Sequence, residues 1–306
     1  MESAADRYTP GWQADLRLRF GNGVRAEEFD TKTRLVERSH RGPLIVQRPF
    51  YPEGDPCHVY LVHPPGGVVG GDELHIDARV DPGAHALITT PAATKFYRCD
   101  ARVSSQTQEL RAAGATLEWL PQENIFYRGA DVCTATRVHL DNDSRFIGWE
   151  IACLGLPARG EHFDAGALSL DLEIWRAPKS LDPVPASSGP FYKPCLNGTG
   201  GSDPIFIDRL RLTGAARARG AAWGLAGHEA VGTLLATPAS RAQVEAIRAL
   251  IVDEPFAAVS LVDGVLVLRA LAPQAAAVRK LFIAAWQSLR PGIVGRAAVL
   301  PRIWST

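Results

Sequence analysis

The sequence predicts a mainly β protein: a large twisted antiparallel β body followed by a C-terminal helix–hairpin–helix α/β region. Three observations lead there. Residues 12–20 alternate, with Trp12, Ala14, Leu16, Leu18 and Phe20 on one face and Gln13, Asp15, Arg17 and Arg19 on the other. That period of two marks a half-buried strand, and it recurs at Leu74-Ile76-Ala78-Val80 and Leu168-Leu170-Leu172-Ile174. Short apolar runs at 43–47, 57–62, 86–90, 116–120, 145–153 and 205–212 lie between Gly, Pro, Asp and Asn residues, the pattern of many strands joined by turns. Finally, the period changes near residue 238, which divides the chain into a β-rich body over 1–237 and an α/β region over 238–306, expected to pack on it.

In that last region Ser240 and Gln243, after Pro238, have capping-box spacing, and Val244, Ile247, Leu250 and Ile251 follow at helical intervals. Residues 257–271 read as a hairpin about Asp263-Gly264, a pair suited to a turn whose two central residues both need positive φ. Pro273 is placed to open a second helix, with Val278, Leu281, Phe282, Ala285, Trp286 and Leu289 as its apolar stripe and Pro291-Gly292 as its stop. Residues 178–204 stand apart. Six prolines there, with several Gly and Ser, cannot form a strand ladder and read as a long inserted loop between two strands.

Composition narrows the function classes. Among 306 residues, 33 basic side chains balance 33 acidic ones without segregating, so neither a nucleic-acid footprint nor a membrane-surface patch is expected. No apolar run approaches the roughly 20 residues that span a bilayer. The opening stretch is polar, and the five cysteines contain no Cys-x-x-Cys, which suits reduced thiols and a cytoplasmic location.

The most unusual segment is His63-Pro64-Pro65-Gly66-Gly67-Val68-Val69-Gly70-Gly71-Asp72. Paired prolines impose extended backbone, and the glycines then permit positive φ and close approach. It lacks the Gly-Lys-Ser/Thr of a phosphate loop and is followed by a strand rather than a helix N-terminus, so a tight turn at a sheet corner is the expectation. Cys57, His58, His63 and Asp72, with His75 beyond, offer donor types for a divalent metal. Strand alternation sends Cys57 and His63 to one side and His58 to the other. Ser104 and Ser105 have no nucleophile-elbow pattern, and spacing does not pair Glu118, Glu123 or Glu150 for acid–base work.

These residues also carry a resemblance. The glycine segment, Thr-Pro-Ala-Ala-Thr-Lys-Phe-Tyr-Arg at 90–98 (with Lys95), and Gly-Pro-Leu-Ile-Val-Gln-Arg-Pro-Phe-Tyr-Pro-Glu-Gly at 42–54 are similar to signatures of the UreD (UreH) urease accessory proteins. So are Leu117-Glu118-Trp119-Leu120-Pro121-Gln122-Glu123, Trp149-Glu150-Ile151-Ala152-Cys153-Leu154-Gly155 and the terminal Leu300-Pro301-Arg302-Ile303-Trp304. The likeness spans about 10–306, and the 178–204 stretch departs from it as an insertion.

The resemblance implies a non-enzymatic helper of nickel insertion that joins UreF and the GTPase UreG, docks apo-urease and holds no tight cofactor, nickel being only in transit. It implies that Asp72, Thr94, Glu150 and Asp208 match polar residues of an internal passage. It also implies a UreF contact through the helix of Phe282 and Trp286. The residues argue separately for a wet interior. Glu150 sits between Trp149 and Ile151, Asp208 follows Ile205-Phe206-Ile207, and Asp72 ends the glycine segment. A carboxylate there must be protonated, paired with a residue such as Arg209 or Lys95, or solvated. Two other readings stay open: a β-barrel metalloenzyme using Cys57, His58, His63 and Asp72, and a pure scaffold with nickel moving through the GTPase.

Overall fold

The computed structural model describes residues 11–25, 28–99, 102–176 and 203–305. The inserted stretch, apart from its last two residues, and Cys195 within it lie outside the described residues. In chain order the strands are β1 (Gln13–Arg25), β2 (Glu28–Arg41), β3 (Ile45–Val46), β4 (Cys57–Val62), β5 (Glu73–Val80), β6 (His85–Thr89), β7 (Thr94–Phe96) and β8 (Ser104–Ala112). There follow β9 (Thr116–Leu120), β10 (Asn124–Phe126), β11 (Ala130–Leu140), β12 (Arg145–Leu156), β13 (Glu161–His162), β14 (Gly166–Arg176), β15 (Asp203–Thr213) and β16 (Ala230–Thr237). The chain closes with α1 (Arg241–Leu250), the hairpin β17 (Ala257–Val262) and β18 (Val265–Ala272), and α2 (Ala275–Ile293).

The mainly β expectation holds; the antiparallel one does not. Sheet one runs β15-β14-β11-β8-β5-β1-β2, and sheet two runs β17-β18-β16-β12-β9-β6-β4-β3 with β7, β10 and β13 attached. In the middle of sheet one, β1·β5, β5·β8, β8·β11 and β11·β14 are all parallel. The same is true of β4·β6, β6·β9 and β9·β12 in sheet two. Antiparallel pairs flank these blocks, at β1·β2, β14·β15, β3·β4 and from β12 through β16 and β18 to β17.

The reason lies in the turns. Residues 81–84, 113–115 and 141–144 are short reversals, but each carries the chain across to the opposite sheet instead of back alongside the strand it left. The crossover that parallel strands require is here a strand of the other sheet, in place of the usual helix. The successive parallel strands of sheet two therefore begin at Cys57, His85, Thr116 and Arg145, roughly 30 residues apart.

Alternation along each strand then fills two cores. Leu16, Phe20, Ile76, Leu110, Val138 and Ile174 of sheet one meet Val59, Ile88, Leu117 and Phe146 of sheet two. The other face of sheet two presents Leu87, Trp149, Leu234 and Leu268 to Val244, Ile247, Phe282 and Trp286 of the helices. The molecule is thus sheet, sheet, helices. The capping box is present, with Gln243 Oε1 accepting from Ser240 N at 2.7 Å. Asp263 and Gly264 take φ values of 48° and 78°, as their turn requires.

Three details differ from expectation. Pro273 precedes the N-cap Gln274 and does not open α2. The helix runs through Pro291 to Ile293, because a proline in the last turn forfeits only one backbone bond, and Val294 N still donates to Arg290 O at 2.8 Å. Leu250 ends α1 exposed, and Ile251 takes its place in the core.

The helix layer is fastened by a charge network. Arg290 is wholly buried on α2 and spends all five guanidinium N–H groups. Nε and Nη2 each donate to Glu118 at 3.0 Å, Nη1 and Nη2 reach Glu53 at 2.8 and 2.7 Å, and Nη1 also meets Ala297 O. Glu118, on β9, further accepts from Trp286 Nε1 at 2.6 Å and His85 Nε2 at 2.7 Å. Burial alone pushes the Glu118 carboxyl up, but His85 and Arg290 outweigh it and hold the group at about 2. Since this lies below the ordinary 4.5, the stabilisation is complete above that pH and drains as pH falls towards 2. Glu118→Gln should therefore lower the melting temperature at neutral pH and flatten its acid limb. Arg290→Met, which strands two carboxylates, should cost about 3–5 kcal/mol in urea unfolding.

Candidate functional site

Among the described residues, polar side chains gather in the inter-sheet core around β12 and β15. On β12, Trp149 and Ile151 face the helices, so Glu150 faces sheet one. On β15, Phe206 and Leu212 lie in the inter-sheet core, and the same alternation turns Asp208 inward opposite Leu172. Thr233 of β16 pairs in register with Glu150, and Arg269 of β18 pairs with Thr233. These four, with Asn124 and Thr134, line a cavity of about 220 Å³.

Glu150 has no cationic partner among the described residues. Its donors are Trp119 Nε1 at 3.0 Å and Thr136 Oγ1 at 2.8 Å, both at Oε1, which leaves Oε2 to the cavity. Burial pushes its carboxyl above 4.5, and the two hydrogen bonds only partly oppose this. Thr136 Oγ1 also lies 3.0 Å from the side-chain amide of Gln108, which joins Gln108 to the same polar group.

Asp208 differs. It accepts from Thr233 Oγ1 at 3.0 Å and lies against Arg269, with Nη2 3.3 Å from Oδ1 and Nε 3.4 Å from Oδ2. Its expected partner Arg209 points to the opposite face of the sheet and meets Glu173 at 3.3 Å.

The other passage residues lie elsewhere. Both oxygens of Asp72 are taken by backbone amides, Trp12 N at 2.8 Å and Val69 N at 2.9 Å. Thr94 is half-buried and pairs in register with cavity-lining Asn124, but does not itself line the cavity. The glycine segment is the sheet corner its sequence predicts, leading from β4 in sheet two to β5 in sheet one. Gly66 and Gly71 have φ of 76° and 90°. A Cβ on Gly67 would meet the Tyr97 ring at 2.1 Å, and one on Gly70 would meet Cys99 Cβ at 2.3 Å. Pro64 and Pro65 are exposed at its start, and Lys95 O accepts from Val68 N at 2.7 Å.

The metalloenzyme site is not assembled. Cys57 is buried between the sheets with its thiol pushed up to about 11, while His58, on the other side of β4, is bound to Glu53 at 2.7 Å. Half-buried His63 lies beyond the strand end, its imidazole pushed down by burial with Asp72 opposing. Among the described residues no three or more His, Cys, Asp or Glu side chains are disposed to hold a metal. Nor do Phe282 and Trp286 form a partner surface. Both are fully buried on sheet two, and the outward residues of α2 include Ala276, Ala277, Lys280, Gln287 and Ser288.

Sequence reasoning missed Arg269, although an Arg at the inward register of Val265-Leu266-Val267-Leu268-Arg269 is a visible anomaly. The cavity offers carboxylate, hydroxyl and amide oxygens without closing into a cage. Such a set suits a divalent cation held briefly. The elevated Glu150 carboxyl makes a direct prediction. Its charged form is penalised, so the cost is absent below the ordinary 4.5 and appears as pH rises through the folded-state value. Glu150→Gln should raise the melting temperature at neutral pH and leave it unchanged in acid. A lower melting temperature at neutral pH would refute this.

No helix among the described residues is long and apolar enough to cross a membrane. The family described as UreD urease accessory protein matches residues 13–305. The urease accessory protein UreD of Klebsiella aerogenes is 42% identical over 298 residues, covering 97% of both chains. That of Enterobacter sp. (strain 638) is 40% identical over 304 residues, 99% of this chain and 98% of the relative. That of Pseudomonas putida (strain W619) is 41% identical over 303 residues, 98% and 96% respectively. With the match running through every strand of both sheets and both helices, the chain belongs to the UreD family of urease accessory proteins.

Proposed function

We propose that this urease accessory protein is a non-enzymatic assembly factor of the cytoplasm. In this reading it joins UreF, UreG and apo-urease and conducts nickel between its two sheets. The observation that carries the reading is the inter-sheet cavity, where among the described residues Glu150 has no counter-ion and Asp208 has only a loose one. A dry β sandwich has no structural use for the unpaired carboxylate of Glu150. A route for a divalent ion does: oxygens must replace part of its hydration shell while binding weakly enough to release it. Thr94, which pairs in register with cavity-lining Asn124, gives the direction in which the route continues. The contact with UreF falls to the outward face of α2, around Lys280 and Gln287.

The test combines Glu150→Gln with Asp208→Asn, which keeps shape and removes charge. The complex should still form in pull-downs with UreF and UreG, and the nickel content of the matured urease should fall about tenfold or more. Normal nickel in an intact complex would leave the chain as a scaffold, with nickel moving through the GTPase.

A further inference from the structure

We propose that Arg269 is the gate of the inter-sheet cavity: its guanidinium occupies Asp208 in place of a metal ion, and an incoming divalent cation displaces it. The proposal rests on reading the cavity as a nickel route, and it adds a residue and a mechanism that reading does not contain.

Three features of the geometry support it. First, the Asp208–Arg269 pair sits where the cavity meets solvent. The two side chains are 29% and 49% exposed, whereas half-buried Glu150 is held in place by Trp119 and Thr136. Second, the pair is loose. Its contacts of 3.3 and 3.4 Å exceed the roughly 2.7–2.9 Å of a tight charge-assisted hydrogen bond, and among the described residues no second carboxylate holds the guanidinium in place. Arg290, by contrast, is locked between two carboxylates at 2.7–3.0 Å. Third, the displaced guanidinium keeps a resting place. Its Cζ lies 5.8 Å from the centre of the Phe206 ring, so it can leave the carboxylate and remain over the aromatic face.

A resident cation also answers an electrostatic problem. An open acidic cavity attracts every cation in the cell, and a tethered guanidinium is a competitor at fixed, high effective concentration. Only an ion that gains more from Asp208, Thr233 and Glu150 than the guanidinium does will enter. Divalent charge favours that exchange, and monovalent charge does not. Thr233 is placed to follow it. Its hydroxyl already bonds Asp208 at 3.0 Å and its backbone pairs with Glu150, so the next oxygen inward lies one strand away.

The gate is tested in the full chain, alone or in its complex, by two readouts. Ala152 lines the cavity, and the thiol introduced by Ala152→Cys can be followed by mass spectrometry with a small neutral thiol reagent. Adding Arg269→Gln should speed its labelling about fivefold, the factor expected from losing one half-exposed ion pair. Arg269→Lys, which keeps the charge, should return it towards the parent rate. In the unlabelled background, Arg269→Gln should bind nickel about fivefold more tightly, since the ion no longer competes with the guanidinium. Unchanged labelling together with unchanged nickel affinity in Arg269→Gln overturns the gate, even if Glu150→Gln with Asp208→Asn abolishes loading. Faster labelling in Arg269→Gln, with normal loading by the carboxylate variant, would keep Arg269 as the closure of the cavity and remove nickel as its cargo.

Discussion

The buried guanidinium of Arg290 joins parts of the chain that are far apart in sequence. It reaches from α2 to Glu118 on β9 and to Glu53 before β4, and through those carboxylates to His85 and His58. A charge so deep survives only because each of its N–H groups has an acceptor and each carboxylate has further donors. The terminal segment closes over the same region. Trp304 lies 5.9 Å from both Trp149 and Trp286 by ring centroid, and its indole donates to Thr89 at 3.0 Å. The helix layer is therefore located on sheet two by directional bonds as well as by apolar contact.

That fastening bears on the cavity because strands have two faces. Glu118 and Trp119 are neighbours on β9. The first turns out to Arg290 and the second turns in to donate to Glu150. Fixing β9 from the helix side thus fixes the indole that orients the cavity carboxylate. The two glutamates form a contrasted pair. Glu118 is surrounded by cationic and N–H donors and stays ionised. Glu150, half-buried and without a cationic partner among the described residues, is driven towards its neutral form. One carboxylate serves cohesion, and the other is left free to respond to an ion.

Much of the architecture was legible residue by residue. The alternation from Ala14 to Phe20, the capping box at Ser240, the Asp263-Gly264 turn and the stripe of α2 are all local, and local chemistry settles them; Trp12, read as the first buried residue of that strand, lies before it and is exposed. Strand direction was not legible. A turn such as Asp81-Pro82-Gly83 reverses the chain whether the next strand bonds beside the last or crosses to the other sheet, and the period of two is the same in both cases. The cavity was half legible. Glu150 and Asp208 could be singled out as carboxylates among apolar neighbours, and Asp72 by the same rule, yet Asp72 proves to be a turn acceptor whose oxygens are spent on Trp12 and Val69.

By itself, then, the sequence determined the period of each segment, the place of each turn, the family signatures and the short inventory of misplaced charges. Tertiary structure alone decided which charges meet. Asp208 is next to Arg209 in the chain, but adjacent residues of a strand face opposite ways, so its partner is Arg269, three strands further on and in the other sheet. Phe282 and Trp286 had the composition of a docking surface, and the packing of α2 on sheet two made them core. Pairing across layers depends on how the sheets stack and on the register between strands, and neither is written in any local stretch of residues.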